Sequence, residues 1–360
     1  VSANTAPATS VAASKVGASG HAAASAPPGT ITEDGSGLLL PLMQKWASAY
    51  QQQFPGVTVK VTGGGSTQGI NDASSGKVDI GASDAYLSSG DVLKNTSLLN
   101  IPLVVSAQSV IYNLPGLKSK VPGVSPADIH VQLSGSVLAG MYSGAITMWN
   151  DPHIQVLNGD LDLPAVKVAP LHRLKGSGDT FLFTSYLSTQ DYTWNTTVGY
   201  GTQVVWPRVP TAQAPDGSAP MITQCVKTPG CVGYNGVSYR VPELAGGLGE
   251  AALQNGGGHF TAPTPATIQA EVNKFVAITP PNETISMIAG PGGDTYPLVN
   301  YEYATVSTRQ PSAAKAKQLR DFLSWVISKG NAPSTVSQVN FQPLPIDIAK
   351  LSQAQIGLVH

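Results

Sequence analysis

The sequence predicts an α/β protein built as two packed lobes, and three observations carry that expectation. A short apolar strand, a turn of small residues and a helix start follow one another in the same order at residues 31–50, 57–75 and 166–187. The chain has 360 residues and 42% hydrophobic content, which supplies more core than one small domain needs. Two apolar segments, 100–107 and 109–113, have the continuity of strands that cross between lobes. In open α/β sheets, ligands collect at the carboxyl ends of strands. Four such ends, around Ser36, Ser66, Asp84 and residues 173–177, present small polar groups and helix amides.

Taken in order, residues 1–29 are almost entirely Ala, Ser, Thr, Pro, Gly and Val, with Lys15 the only formally charged side chain. Such a composition predicts a disordered, low-complexity tether, and the folded part is expected to begin near Ile31. Leu38, Leu42, Trp46 and Tyr50 recur every four residues beside Leu39, Met43 and Ala47, the pattern of a helix with one apolar face. Val57, Val59 and Val61 alternate as a half-buried strand, and residues 63–67 turn into a helix at 68–75. Residues 79–84 give a short strand ending on a carboxylate. Residues 137–141 predict a helix, and Asn150, Asp151 and Pro152 a stop followed by a new start. Residues 202–217 are expected as loop, 232–239 as strand, 266–275 as helix, and 284–288 and 296–306 as strands around a Pro291-Gly292-Gly293 turn. The clearest helix spans 312–330. Leu319, Phe322, Leu323, Val326 and Ile327 form its buried stripe, Ser312 suits the N-cap and Gly330 the C-terminal stop.

Charged residues make up only 11% of the chain and the formal net charge is -1, so bulk charge attracts neither nucleic acid nor an anionic membrane. Any anion must be held by local geometry. No apolar run reaches the roughly 18 residues of a membrane span. The chain opens at Val1 without a signal peptide, as expected of a processed chain.

Residues 171–187, LHRLKGSGDTFLFTSYL, have the form of an oxyanion grip. Arg173 stands where the strand 166–171 would end. Gly176, Ser177 and Gly178 let the backbone turn, and Asp179 and Thr180 open a helix over 181–187. First-turn amides have no intrahelical partner and, with the positive end of the helix dipole, bind anions without a metal. The arginine fork takes two oxygens of a tetrahedral oxyanion at once. A plain strand, glycine turn and N-capped helix explains the same string.

Cys225 and Cys231 flank a Pro229-Gly230 turn and read as a disulfide, which implies an oxidising compartment. A pair of free thiols or half a metal site is the rival reading. No second cysteine pair exists to complete a zinc site.

Six strings, ITEDGSGLLLPLMQKWASAY, VTGGGSTQGI, VDIGASDAYLS, AGMYSGAITMWNDPHI, HRLKGSGDTFLFTSYLS and CVGYNGVSY, together resemble one family in order and spacing. That family is the phosphate-binding receptors of bacterial phosphate ABC transporters, with most likeness to the mycobacterial and actinobacterial lipoprotein branch. The resemblance covers residues 31–350. It implies the type II periplasmic binding protein fold, two α/β lobes joined by crossing strands with the ligand cleft between them. The implied lobes are 30–105 with 297–360, and 106–296. It implies extracytoplasmic, high-affinity phosphate binding by a monomer that serves permease subunits, with no cofactor, no metal and no catalytic residue. The branch carries a lipidated N-terminal cysteine before a low-complexity linker, and that cysteine is absent from this chain.

Carried over by position, the ligand residues are Gly37, Leu38, Ser66, Asp84, Arg173, Ser177, Gly178 and Asp179, with Ser36 and Lys175 as modulators. Serine hydroxyls and helix amides donate to phosphate oxygens, Arg173 supplies charge, and Asp84 can only accept. Hydrogen phosphate can donate to Asp84, whereas sulfate would set two acceptors against each other, which costs roughly 1–3 kcal/mol or more. Two departures stand out. Gly37 replaces the family's threonine, and Lys175 stands where an aspartate usually pairs with the arginine. The second departure removes a partner of Arg173 and adds a cation, which is expected to strengthen anion attraction or widen the ligand range.

An enzyme is not expected. No G-x-S-x-G elbow contains Ser36, Ser66 or Ser177, and no H-E-x-x-H or P-loop lysine is present. His172 is the one candidate base for a phosphatase. Arsenate, sulfate or an organophosphate are the alternative ligands.

Overall fold

The computed structural model describes residues 27–125 and 128–360. The expected tether lies outside them through residue 26. The described chain begins with strand β1 (Gly29–Gly35), helix α1 (Leu40–Gln53), strand β2 (Val57–Thr62), helix α2 (Ser66–Ser74) and strand β3 (Ile80–Ser83). β1 pairs in parallel with both β2 and β3, so each helix is a crossover between parallel strands. The apolar face read from the sequence is the buried face of α1. Leu42, Met43, Trp46 and Tyr50 are all 0% exposed, and Trp46 Nε1 donates to the Gly330 carbonyl at 2.8 Å. Each such burial contributes roughly 1.5–3 kcal/mol.

The two segments expected as separate crossing strands are one strand, β4 (Leu98–Tyr112). Its first part pairs antiparallel with a late strand, Val299–Ser307, and its last five residues pair antiparallel with Cys231–Gly236. In the sequence the polar Gln108 looks like a break between the two segments, with Ser109 opening the second. In the fold they are fully buried, and they sit where β4 exchanges one partner strand for the other.

Beyond β4 come β5 (Ala169–Pro170), α3 (Gly178–Gln190), α4 (Ser218–Lys227), β6 (Cys231–Gly236), β7 (Val299–Ser307) and α5 (Ala313–Val326). The main path through the large sheet runs β2-β1-β3-β7-β4-β6-β5. β4 thus joins two α/β lobes, one built on β1 to β3 with β7, the other on β5, β6 and the helices around them. Cys225, in the last turn of α4, is disulfide-bonded to Cys231, the first residue of β6, with Cα atoms 5.5 Å apart. This staples α4 to the sheet, and no free cysteine remains among the described residues.

Several boundaries differ from expectation. Segment 166–171 forms a ladder only at Ala169–Pro170, because Lys167 and Leu171 turn to other partners, in isolated bridges with Met148 and Gln213. Residues 284–288 do not form a strand. Their one sheet-like contact is the Ile288–Leu298 bridge, and the segment is bracketed by Glu283 and Ala289 with φ of 54° and 53°, which turn the backbone away from pairing. The strand expected over 232–239 ends at Gly236 and passes into a 3-10 turn, Val237–Tyr239. Helix α5 is capped by Ser312 as expected but ends at Val326 rather than Gly330, which packs against the Trp46 ring. No helix among the described residues is long and apolar enough to cross a membrane.

Candidate functional site

Residues far apart in sequence converge where the two lobes face each other. From the first lobe come the β1–α1 turn, the start of α2 and the end of β3. Ser36 is 1% exposed, and its backbone N–H donates to the Ala82 carbonyl at 2.9 Å. Its carbonyl and hydroxyl accept the amides of Leu40 (3.1 Å) and Leu39 (2.9 Å). No acceptor among the described residues takes the amides of Gly37 and Leu38. The Ser66 hydroxyl, fully buried at the first position of α2, accepts from the Asp84 amide at 3.1 Å. Asp84 follows β3 and is 2% exposed, with Oδ1 accepting from the Ser36 hydroxyl.

From the second lobe come Arg173, after β5, and the N-terminus of α3. Ser177 is the N-cap, its hydroxyl accepting from the Asp179 amide at 3.1 Å while its own amide donates to the Thr202 carbonyl at 2.8 Å. The amides of Gly178 and Thr180 have no acceptor among the described residues, as a first helical turn should leave them. The lobes meet closely around these groups. Leu38 packs on Gly236 and its carbonyl accepts from the Ser238 hydroxyl at 2.7 Å. A Cβ on Gly178 would stand 2.2 Å from Asp84 Oδ2 and 2.5 Å from Ser66 Oγ, so only glycine lets this amide approach both. Asp84 and Arg173 therefore come to this contact from the two lobes, near enough for the Arg173 charge to act on Asp84.

Arg173 has a partner in spite of Lys175. Its Nη1 donates to Asp179 Oδ2 and, at 3.3 Å, to Ser218 Oγ, while the side chains of Arg173 and Asp179 are only 7% and 1% exposed. The aspartate missing two residues after the arginine is thus supplied six residues after it, across the first turn of α3. Lys175 is 70% exposed and pairs with Asp216 at 2.7 Å. Arg173 Nη2 is left facing Gly37, 3.7 Å from where a Cβ there would stand. At the same place Ser218 Oγ lies 3.2 Å from that Cβ position, so a hydroxyl from the opposite lobe stands beside the spot where the family's threonine would extend.

The electrostatics follow from burial. Asp84 is pushed up to about 6, chiefly because its charge is desolvated and next because the Asp179 charge is near. The neighbouring Glu302 carboxyl, the Ser36 hydroxyl and the Arg173 charge act in the other direction. Burial also raises Asp179, against the pull of Arg173 and Gln108. Gln108 Nε2 donates to both the carbonyl (2.9 Å) and the carboxylate (3.1 Å) of Asp179, which ties the point where β4 changes partner to the head of α3. Glu302, on β7, is fully buried and raised well above the usual range by burial and by Asp84.

Glu302, Gln108 and Ser218 were not anticipated as site residues. The sequence does carry a faint signal for two of them, a lone carboxylate in NYEYATV and a lone amide in LVVSAQSVIY. Ser218 has none. His172 stacks on Trp206 with ring centroids 4.7 Å apart, and its Nδ1 lies 3.2 Å from the Arg173 carbonyl oxygen, a packed strand-end role in which burial lowers its pKa. No serine of the cleft bonds to it.

The model of the PBP superfamily domain matches residues 20–329. The phosphate-binding protein PstS of Methanocaldococcus jannaschii is 32% identical over 357 residues, covering 92% of this chain and 87% of its own length. PstS3 of Mycobacterium bovis is 27% identical and covers 90% of this chain and 85% of its own length. Among solved structures, the phosphate binding protein of Stenotrophomonas maltophilia superposes with a TM-score of 0.67 at 18% identity, covering 91% of this chain and 93% of that one.

Proposed function

The chain belongs to the PBP superfamily and, within it, to the phosphate-binding receptors of ABC transporters, and from that premise we propose how its cleft takes inorganic phosphate. It is a receptor and not an enzyme. The observation that carries the reading is a buried acceptor, Asp84, met from the other lobe by unpaired helix amides and a half-engaged arginine. In our assignment the amides of Gly37, Leu38 and Gly178, the hydroxyls of Ser66 and Ser177, and Arg173 Nη2 donate to the ligand. Asp84 Oδ2 accepts the proton of hydrogen phosphate. Asp179 takes part as the counter-ion of Arg173, because its carboxylate is already taken by Arg173 and Gln108 and its amide by the Ser177 hydroxyl. Ser218 stands in for the threonine that Gly37 lacks.

We assign residues 30–105 with 297–360 to one lobe and 106–296 to the other, a division supported by the exchange of partner strands between Ala107 and Gln108. The receptor works as a monomer outside the cytoplasm, held by an N-terminal lipid anchor, and passes its ligand to permease subunits. The Cys225–Cys231 disulfide supports an oxidising location. Calorimetric titration at pH 8 tests the ligand. Phosphate is expected to bind at least about a hundredfold more tightly than sulfate, since sulfate would leave two buried acceptors facing each other. Equal affinity for the two anions would sink the assignment of Asp84.

A further inference from the structure

Glu302 is fully buried on β7, and its bonding partners among the described residues are all uncharged. Its Oε1 accepts from the Ser106 hydroxyl and from Asn300 Nδ2 at 2.9 Å. Its Oε2 lies 3.3 Å from Ser36 Oγ, the same hydroxyl that donates to Asp84 Oδ1. Ser36 has one hydrogen and already accepts the Leu39 amide. Two ionised carboxylates sharing that single hydrogen would leave one pair of acceptors in contact in a dry interior. A proton on Glu302 removes the conflict. Asn300 Nδ2 donates to Oε1, and Ser106, whose one hydrogen also has Asn300 Oδ1 at 2.8 Å, stands beside the same oxygen, so a proton placed on Oε2 and pointing at the serine is the arrangement that meets the Ser36 conflict.

We propose that Glu302 is a positioning residue, held as a neutral acid, whose hydrogen bond starts a chain from Glu302 through Ser36 to Asp84 and so commits Asp84 to accepting the ligand's proton. The proposal rests on the phosphate reading above. The groups around the chain are Ser36 from the β1–α1 turn, Ser106 from β4, Asn300 from β7, and Asp179 with Arg173 from the facing lobe. Arg173 is the one cation in this set, and Asp179 largely neutralises it. Donors directed at Asp84 are therefore what keeps it ionised as pH falls.

Sulfate affinity is the readout, because sulfate carries no proton between pH 5 and 8 and should bind well only when Asp84 itself is protonated. Its titration against pH gives the midpoint for Asp84 in wild type, Glu302→Gln and Glu302→Leu. A neutral donor at 302 predicts an unchanged midpoint in Glu302→Gln, whose amide replaces the acid O–H. Glu302→Leu should raise the midpoint by about one pH unit, the worth of a hydrogen bond to a charged group. An ionised Glu302 would instead make both variants lower the midpoint, which overturns the proposal, as does an unchanged midpoint in Glu302→Leu. Infrared spectra decide independently of whether the leucine variant folds. A protonated-carboxyl carbonyl band present in wild type at pH 7 and missing in Glu302→Gln is expected, and no difference between the two overturns the chain. Wild type that fails to bind phosphate at pH 8 would refute the parent reading rather than this one.

Discussion

Asp179→Asn tests whether the carboxylate on α3 is the counter-ion that replaces the aspartate lost to Lys175. The substitution keeps the shape of the side chain and removes its charge. Its single carbonyl oxygen can satisfy Arg173 Nη1 or Gln108 Nε2, not both, so one donor is left facing an amide N–H. With the pair only 7% and 1% exposed, breaking it costs the ligand-free protein about 3 kcal/mol, the lower end of the range for a buried pair that loses one partner. The same change removes a negative charge beside the incoming anion. At roughly 6 Å and an effective dielectric constant of about 20, one unit charge is worth about 3 kcal/mol. Phosphate should therefore bind at least about tenfold more tightly to Asp179→Asn while the ligand-free variant melts lower. Calorimetric melting with and without phosphate, together with titration, measures both. An unchanged melting temperature together with unchanged or weaker binding would show that Asp179 does not neutralise Arg173.

Gly178→Ala should leave the fold intact, since alanine suits a helix, yet its Cβ would collide with Asp84 Oδ2 and Ser66 Oγ and hold the lobes apart. Phosphate affinity should fall by about a hundredfold or more with little change in ligand-free melting, by titration and thermal melts. Lys175→Asp should change phosphate affinity by less than about threefold, because an exposed pair such as Lys175–Asp216 contributes little. A larger loss would restore Lys175 to the site. Stability should also fall with rising pH in the ligand-free protein. Burial raises Glu243 and Glu283 to about 8, Glu271 to about 7 and Asp84 to about 6, all above the values near 4 that they take when unfolded. Each favours the folded state while protonated and loses that contribution as pH climbs through its folded value. The melting temperature should be higher at pH 5 than at pH 8, and the reverse order in a buffer series would refute the carboxyl burial.

The sequence disclosed what is local. The α1 stripe, the Ser312 cap and the Gly176–Gly178 turn each follow from short-range rules of period and turn chemistry, and the structure holds them where those rules put them. Misreadings arose where tertiary context overrides the local pattern. Gln108 looks like a break between strands because polar residues usually face water, but with Ser109 it is the buried joint of a 15-residue strand. Lys175 stands out as a candidate modulator because it occupies the position of the family's aspartate. Its meaning depended on Asp179, whose carboxylate a helix start turns back toward Arg173, and spacing alone does not give that direction.

The charges assembled at the cleft show why a nearly neutral chain can serve an anion. Arg173 is the one cation of the cluster and Asp179 already balances it, so with Asp84 ionised and Glu302 neutral the cleft itself carries a negative charge. Attraction cannot come from net charge. It must come from fixed dipoles, the amides of Gly37 and Leu38 in the β1–α1 turn and those of Gly178 and Thr180 at the head of α3, which were ordered by folding and need no reorganisation when the ligand arrives. A site of this kind has no use for surplus positive charge, which would hold sulfate as firmly as phosphate. On the assignment proposed for Asp84, the negative balance is itself part of the selection, because only an anion that brings its own proton leaves no buried acceptor opposed.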